Sequence, residues 1–197
     1  AKILNITIPE VPEGYYVVDK KDVPGENRVH IVMDDTPVFA EDTVEYIGDP
    51  ILMVVGPCEK EVKRILNEIH VEYQELTPIL NMRDYDTVFF DYNYGKGDVE
   101  KAFLEADEVF CEEFETGYQE QAYLEPQGLM AEYHDGKITV QGSMQCPYYV
   151  HGAVAKALGF EASKVQIKMD VTGGGFGGKE DFPSILACQV AVAAIKA

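Results

Sequence analysis

The sequence has no tryptophan, four cysteines, four histidines and only 16 lysines and arginines, set against 35 acids for a formal net charge of −19. With a pI near 4.4, most of the surface would repel a phosphate backbone or an anionic bilayer, so neither nucleic acid nor membrane is expected as a partner. Long apolar runs are missing too. None reaches the 18 or so residues that a helical span requires, and AKILNITIPE lacks the basic start and apolar stretch of a signal peptide, so the expected location is cytoplasmic. The cysteines Cys58, Cys111, Cys146 and Cys188 lie 53, 35 and 42 residues apart, which excludes CxxC pairs, zinc ribbons and ferredoxin-type clusters. They read as reduced, mostly buried thiols. His30, His70, His134 and His151 show no HxH, HExxH or HxxxH spacing, so no metal site built from protein side chains is expected.

What is present is a globular composition, 46% hydrophobic and 26% charged over 197 residues. The patterning predicts a mixed α/β (α+β) fold. Short β-rich runs at Ile3–Ile8, Tyr15–Val18, Val29–Met33 and Ile51–Val55 are separated by Pro and Gly turns. Between Pro57 and His70, Val62, Ile65, Leu66 and Ile69 fall on one helical face, and Val71–Tyr73 follows as a strand. Residues 82–97 mix acids, tyrosines and glycines without a period, placing a first unit at 1–84, a linker at 85–97 and a second unit at 98–197. Asp98 is placed to cap a helix with the stripe Val99, Ala102, Phe103 and Ala106. His134-Asp135-Gly136 signals a hairpin between Leu129–Tyr133 and Lys137–Gln141. A helix His151–Leu158 closes at Gly159, an alternating strand runs Val165–Val171, and Ser184–Ala197 is apolar nearly all round, hence a buried helix.

The segment Thr172-Gly173-Gly174-Gly175-Phe176-Gly177-Gly178-Lys179-Glu180 is the most informative, and three mechanisms compete for it. Gly173, Gly175 and Gly178 satisfy GxGxxG between a strand and a helix, but the ribose acid expected about 20 residues on is replaced by Val192-Ala193-Ala194, which argues against a nucleotide-binding module. Gly173 to Lys179 fits GxxxxGK, yet Glu180 stands where a phosphate loop needs Ser or Thr. The third mechanism is close approach of backbone to a bulky ligand, which glycines permit while Phe176 and Glu180 supply an aromatic face and an acceptor. A turn without function is the bland alternative.

TGGGFGGKE resembles the molybdopterin-contacting loop in the large subunit of the xanthine dehydrogenase and aldehyde oxidase family of molybdenum hydroxylases. Gln119-Glu120-Gln121-Ala122-Tyr123-Leu124-Glu125 is similar to the family's QExxYLE segment, and Val140–Gly159 to the stretch between the two. DVPG at Asp22–Gly25, PVFA at Pro37–Ala40, GDPI at Gly48–Ile51 and VEYQEL at Val71–Leu76 resemble the a/b hammerhead domain that precedes the cofactor region.

The resemblance implies a truncated a/b hammerhead domain followed by the first part of a molybdopterin-binding domain. It implies a molybdenum–pterin cofactor whose metal ligands are not protein side chains, not retained by this chain alone, and 2Fe–2S clusters and FAD on other domains or subunits. Partners would be the remainder of the molybdenum-binding subunit, iron–sulfur and flavin subunits, and a small heterocycle or aldehyde substrate. Gln119 would lie beside the metal's apical oxo group, Gly174, Gly175, Phe176 and Gly177 would meet the cofactor, and Glu180 would orient heterocyclic substrates. The family's catalytic base, a glutamate in a distant C-terminal segment, has no counterpart in these residues, so the chain is expected to be inactive alone. Asp49 replaces a common glutamine and Pro126 a common threonine. A small scaffold subunit of a larger molybdoenzyme complex is the alternative.

Overall fold

The computed structural model describes residues 1–31 and 33–197, and the chain divides into two units, one of residues 1–76 with 121–197 and one of residues 77–120. In the first unit, β1 (Lys2–Thr7) pairs antiparallel with β4 (His70–Gln74), and β2 (Tyr16–Asp19) pairs antiparallel with β3 (Leu52–Val55). Between β3 and β4 runs α1 (Glu59–Glu68), whose Ile65 is fully buried while Arg64 pairs with Glu61 and Glu68 on the open side. The remaining strands, β5 (Leu129–His134), β6 (Lys137–Gly142) and β7 (Val165–Met169), form a three-stranded sheet in that order.

β5 and β6 are antiparallel, joined by Asp135 and Gly136 at φ of 49° and 73°, the left-handed pair that a two-residue hairpin turn demands. β6 and β7 are parallel, so the chain must cross over between them, and it does so through α3 (Pro147–Leu158). This helix starts four residues earlier than its apolar pattern indicated, because Pro147 supplies the fixed φ of a first helical turn. Gly159 ends it at φ 65°.

The last helix, α4 (Phe182–Lys196), is buried on most sides, as a sequence apolar all round requires. Val150, Val154, Ala157, Ala187, Ala191 and Val192 form the core with Ile138 and Val140 of the sheet. Val18, Val29, Val38 and Phe39 from the N-terminal half join the same cluster, so residues far apart in sequence share one apolar interior. Two side chains fasten the halves: Gln189 donates to the Val38 carbonyl at 3.0 Å, and Lys196 donates to the Val17 carbonyl and to the Asp22 carboxylate, both at 2.6 Å. Gly25 lies against the end of α3, its N–H bonded to the Ala157 carbonyl, and a Cβ there would overlap the Lys156 carbonyl oxygen.

Three expectations change. Val29–Met33 is not a strand: among its described residues only Val29 bridges, to Thr36, and Val32 lies outside the described residues. His30 instead sits between Glu26 and Asp34, its ring nitrogens 2.8 and 2.5 Å from their carboxylates. The thiols are less buried than expected, with Cys58 and Cys111 exposed, Cys146 half-buried and only Cys188 inside, where burial pushes its thiol up to about 12. In the second unit, α2 (Val99–Glu105) forms with Asp98 capping the Lys101 amide, but its apolar stripe is exposed. Periodicity there marks a helix without a core to receive it. The rest of that unit is a short 3-10 turn at Met82–Asp84 and irregular chain.

Candidate functional site

Because β6 and β7 are parallel, their C-terminal ends lie together, and the loops leaving them share one edge of the sheet. Ser143–Cys146 leaves β6, and residues 170–181, with the glycine segment, leave β7. The stretch 121–127 comes to the same place. Glu125 N–H donates to the Gly173 carbonyl at 3.4 Å, and the Glu125 carboxylate accepts from the Gly173 N–H at 2.8 Å.

Gln145 is the second support. Its backbone N–H donates to the Lys179 carbonyl at 2.7 Å, while its side-chain oxygen accepts from the N–H groups of Gly177 and Lys179 at 3.1 and 3.2 Å. From the 121–127 stretch, Gln127 donates to the Gly178 carbonyl at 2.7 Å and to the Tyr123 hydroxyl at 3.0 Å. Between these supports the loop rises in a shape L-residues rarely adopt: Gly174 has φ 96°, Phe176 φ 51° and Gly177 φ 92°. Phe176 is held in the left-handed region, which costs on the order of 1 kcal/mol or more, and its ring is 77% exposed. An aromatic ring turned to solvent on a strained backbone is an arrangement stability alone does not favour.

The N–H groups of Gly174, Gly175 and Phe176 find no acceptor among the described residues, since the loop's own bonds employ Gly173, Gly177, Gly178 and Lys179. Beside Gly177 there is open space, with no atom within 4 Å of where a Cβ would stand. Successive free amides on a glycine loop form a donor surface for a ligand rich in acceptors.

Lys179 is fully buried. Its ammonium donates to Glu125 at 2.7 Å and to Ser143 at 3.2 Å, and lies 4.9 Å from the centre of the Tyr123 ring. A lysine so enclosed cannot reach a nucleotide phosphate, which removes the GxxxxGK reading. The Lys179 hydrogen bond, then Ser143 and the Gly173 amide, hold the Glu125 carboxyl at about 2, against an ordinary 4.5. A carboxyl depressed in the fold contributes stability in full above its ordinary value, and that contribution is lost as pH falls through about 2. A carbon-13 titration of Glu125 is therefore expected to show a midpoint near 2, and a midpoint above 4 would mean that the pair is open in solution.

Of the residues singled out in the sequence, Gly174, Gly175, Phe176, Gly177 and Glu180 lie together on this loop, Glu180 exposed just before α4 with no hydrogen-bond partner among the described residues. Its charge and that of Asp181, after burial, push the Cys146 thiol up. Gln119 belongs to the second unit and is exposed on irregular chain there. Sequence reasoning gives Glu125 and Gln145 no site role and offers Lys179 only as a phosphate lysine. The available signal was position, since a Ser and a Gln just past a strand that precedes Pro at a helix start mark the crevice edge of a parallel pair. Among the described residues no group of three or more His, Cys, Asp or Glu could hold a metal, and no helix is long and apolar enough to cross a membrane. A concavity of about 480 Å³, lined by Tyr46, Ile47, Asp49, Ile51 and Tyr73 among others, includes no residue of the glycine loop.

The molybdopterin cofactor-binding domain model matches residues 82–197, which include this loop, and the a/b hammerhead domain model of aldehyde oxidase and xanthine dehydrogenase matches residues 1–77. The chain belongs to the molybdenum hydroxylase family. Among its relatives, the xanthine dehydrogenase/oxidase of Gallus gallus is 36% identical across the whole of this chain, which spans 15% of that protein. The nicotinate dehydrogenase large molybdopterin subunit of Eubacterium barkeri is 35% identical over 88% of the chain, covering 44% of its length. The chain thus spans less than half of either molybdenum hydroxylase relative. In fold, it resembles the aldehyde oxidoreductase of Desulfovibrio gigas, with a TM-score of 0.79 at 24% identity, over 98% of this chain and 24% of that one. The mixed α/β architecture, hammerhead followed by cofactor-binding region, is that of the family, and membership implies a molybdenum–pterin cofactor in the full enzyme.

Proposed function

We propose that this chain supplies the glycine-loop wall of the cofactor site in an enzyme that hydroxylates an N-heterocycle or an aldehyde. The observation that carries the reading is the run of amides at Gly174, Gly175 and Phe176 without an acceptor among the described residues, on a loop braced by Glu125 and Gln145. The residues fit the group: donors without protein acceptors, open space beside Gly177, and an exposed ring at Phe176. When bound, the molybdenum–pterin cofactor supplies the two-electron oxidation and oxygen transfer that no side chain here can perform.

The chain's own residues bind and orient. The three amides would donate hydrogen bonds to acceptor atoms of the cofactor and the Phe176 ring would exclude water from the face it covers, while Gln119 would act as a further hydrogen-bond donor to the group. Glu180, exposed and unpaired, accepts a hydrogen bond from the ring N–H of a heterocycle and so sets which atom faces the reacting centre. The 2Fe–2S clusters and FAD belong on other domains or subunits, and the partners are the rest of the molybdenum-binding subunit with iron–sulfur and flavin components. Residues 85–97 join the hammerhead to the cofactor-binding part under this proposal. A cytoplasmic setting, which keeps the four thiols reduced, belongs to it as well.

The complete protein, purified and analysed for molybdenum and pterin, is expected to contain both and to turn over a purine, a pyridine carboxylate or an aromatic aldehyde in a panel of the three classes. Absence of turnover on all three with molybdenum present would overturn the substrate classes. Absence of pterin from protein expressed in a host that makes the cofactor would overturn the cradle itself.

A further inference from the structure

The two ends of the glycine loop converge on one atom. Glu125 Oε2 accepts from the N–H of Gly173, which opens the loop, and from the ammonium of Lys179, which closes it, at 2.8 and 2.7 Å. Lys179 is enclosed by Ser143 and the Tyr123 ring and is fully buried, whereas the Glu125 side chain stays 40% exposed. A buried ammonium must have a charged partner, so the closing residue cannot leave the carboxylate without a large penalty. Gln145 holds the amides of Gly177 and Lys179 from the other side.

We infer that Lys179 and Glu125 are a positioning pair that closes the glycine loop, fixing the backbone turn in which Gly174, Gly175 and Phe176 present their free N–H groups. This rests on reading the loop as a cofactor cradle. The pair acts through the loop, by joining positions 173 and 179 at a single oxygen, which restricts the five residues between them. The glycines alone would leave that stretch with many shapes, because each lacks a Cβ to restrict φ. Lys179 is thus the residue that converts a flexible run into a fixed one, which a phosphate-binding lysine in the same motif position would not do.

Hydrogen exchange of the 197-residue chain tests this, with the amides of Gly177 and Lys179 as reporters because both are bonded to Gln145. Glu125→Gln keeps an acceptor for Gly173 but removes the charge opposite the buried ammonium, so the two reporters should exchange at least tenfold faster while α3 and α4 keep their rates. Lys179→Met should give a smaller acceleration, since the carboxylate left behind reaches water. The double variant should be no faster than Glu125→Gln alone, the signature of two groups acting as one. Reporter rates within twofold of the wild type in Glu125→Gln, or acceleration equal in the loop and in α4, would overturn the pair as a positioning device. If Lys179→Met fails to fold, Glu125→Gln decides alone, because its side chain is partly in solvent. Molybdenum content of the complete enzyme carrying Glu125→Gln separates the two readings: a loosened loop with unchanged content upholds the pair and overturns the cradle.

Discussion

Replacing Gly175 with alanine is expected to lower the molybdenum content of the complete enzyme by about tenfold without unfolding it. Gly175 is buried, and its φ lies outside the left-handed region, so the backbone itself accepts an alanine. The obstacle is Gln145: a Cβ at 175 would overlap Gln145 Oε1 and come within 2.8 Å of its Cδ. A glutamine side chain can swing away, so the clash costs little by itself. What is lost is the acceptor shared by the Gly177 and Lys179 amides. Two hydrogen bonds at roughly 0.5–1.5 kcal/mol each sum to about 1–3 kcal/mol, which reduces the population of the braced loop by roughly 5- to 150-fold. Cofactor capture falls in proportion, while the core at α3 and α4 is untouched. Gln145→Ala should reproduce the defect, and the two substitutions together should do no more than either, since both remove one acceptor. A full complement of molybdenum in Gly175→Ala, with the Gln145 bonds shown broken, would mean that loop shape is irrelevant to cofactor binding.

Glu180→Ala in the same enzyme is expected to reduce kcat/KM for a purine by roughly 5- to 150-fold, corresponding to about 1–3 kcal/mol, and to leave an aldehyde nearly unchanged. The residue is exposed at the end of the loop with no partner among the described residues, so a substrate N–H would meet an uncommitted acceptor. Alanine leaves that N–H unpaired in a closed site; Glu180→Gln keeps the shape and an acceptor but gives up the charge assistance, and should fall between. Simple aldehydes have no ring N–H to lose. The competing role is local: an acid next to Asp181, at the start of α4, gains from the helix dipole whatever the substrate. That role predicts equal small losses on both substrate types with a lowered melting temperature, so the ratio of the two kcat/KM values discriminates.

Much of the frame was legible before any coordinates, because the relevant signals are local. The alternation of Val165, Ile167 and Met169, the Asp135-Gly136 turn, the left-handed Gly159 and the all-round apolar α4 each depend on residues within a few positions of one another. The family strings, TGGGFGGKE above all, were equally visible. Where the local signal was ambiguous, tertiary context decided. Val29–Met33 has the composition of a strand, but Val29 turns into the core and His30 is drawn between two carboxylates. The stripe on α2 has a helical period, yet burial needs an opposing apolar surface, and none is built among the described residues of 77–120.

Lys179 shows the limit most clearly. By sequence it is the lysine of GxxxxGK, placed to face a phosphate; in the fold it is sealed inside against Glu125, Ser143 and Tyr123. Glu125 lies 54 residues away in the chain and Gln145 34, so no window of sequence contains both the loop and what holds it. The sequence by itself determined that a glycine loop lies between a strand and a buried helix, because local spacing and side-chain chemistry dictate those elements. Only the tertiary structure decided which of its amides are free and which charge is buried, because hydrogen bonds and burial are settled by whichever distant groups the packed core brings within about 3 Å.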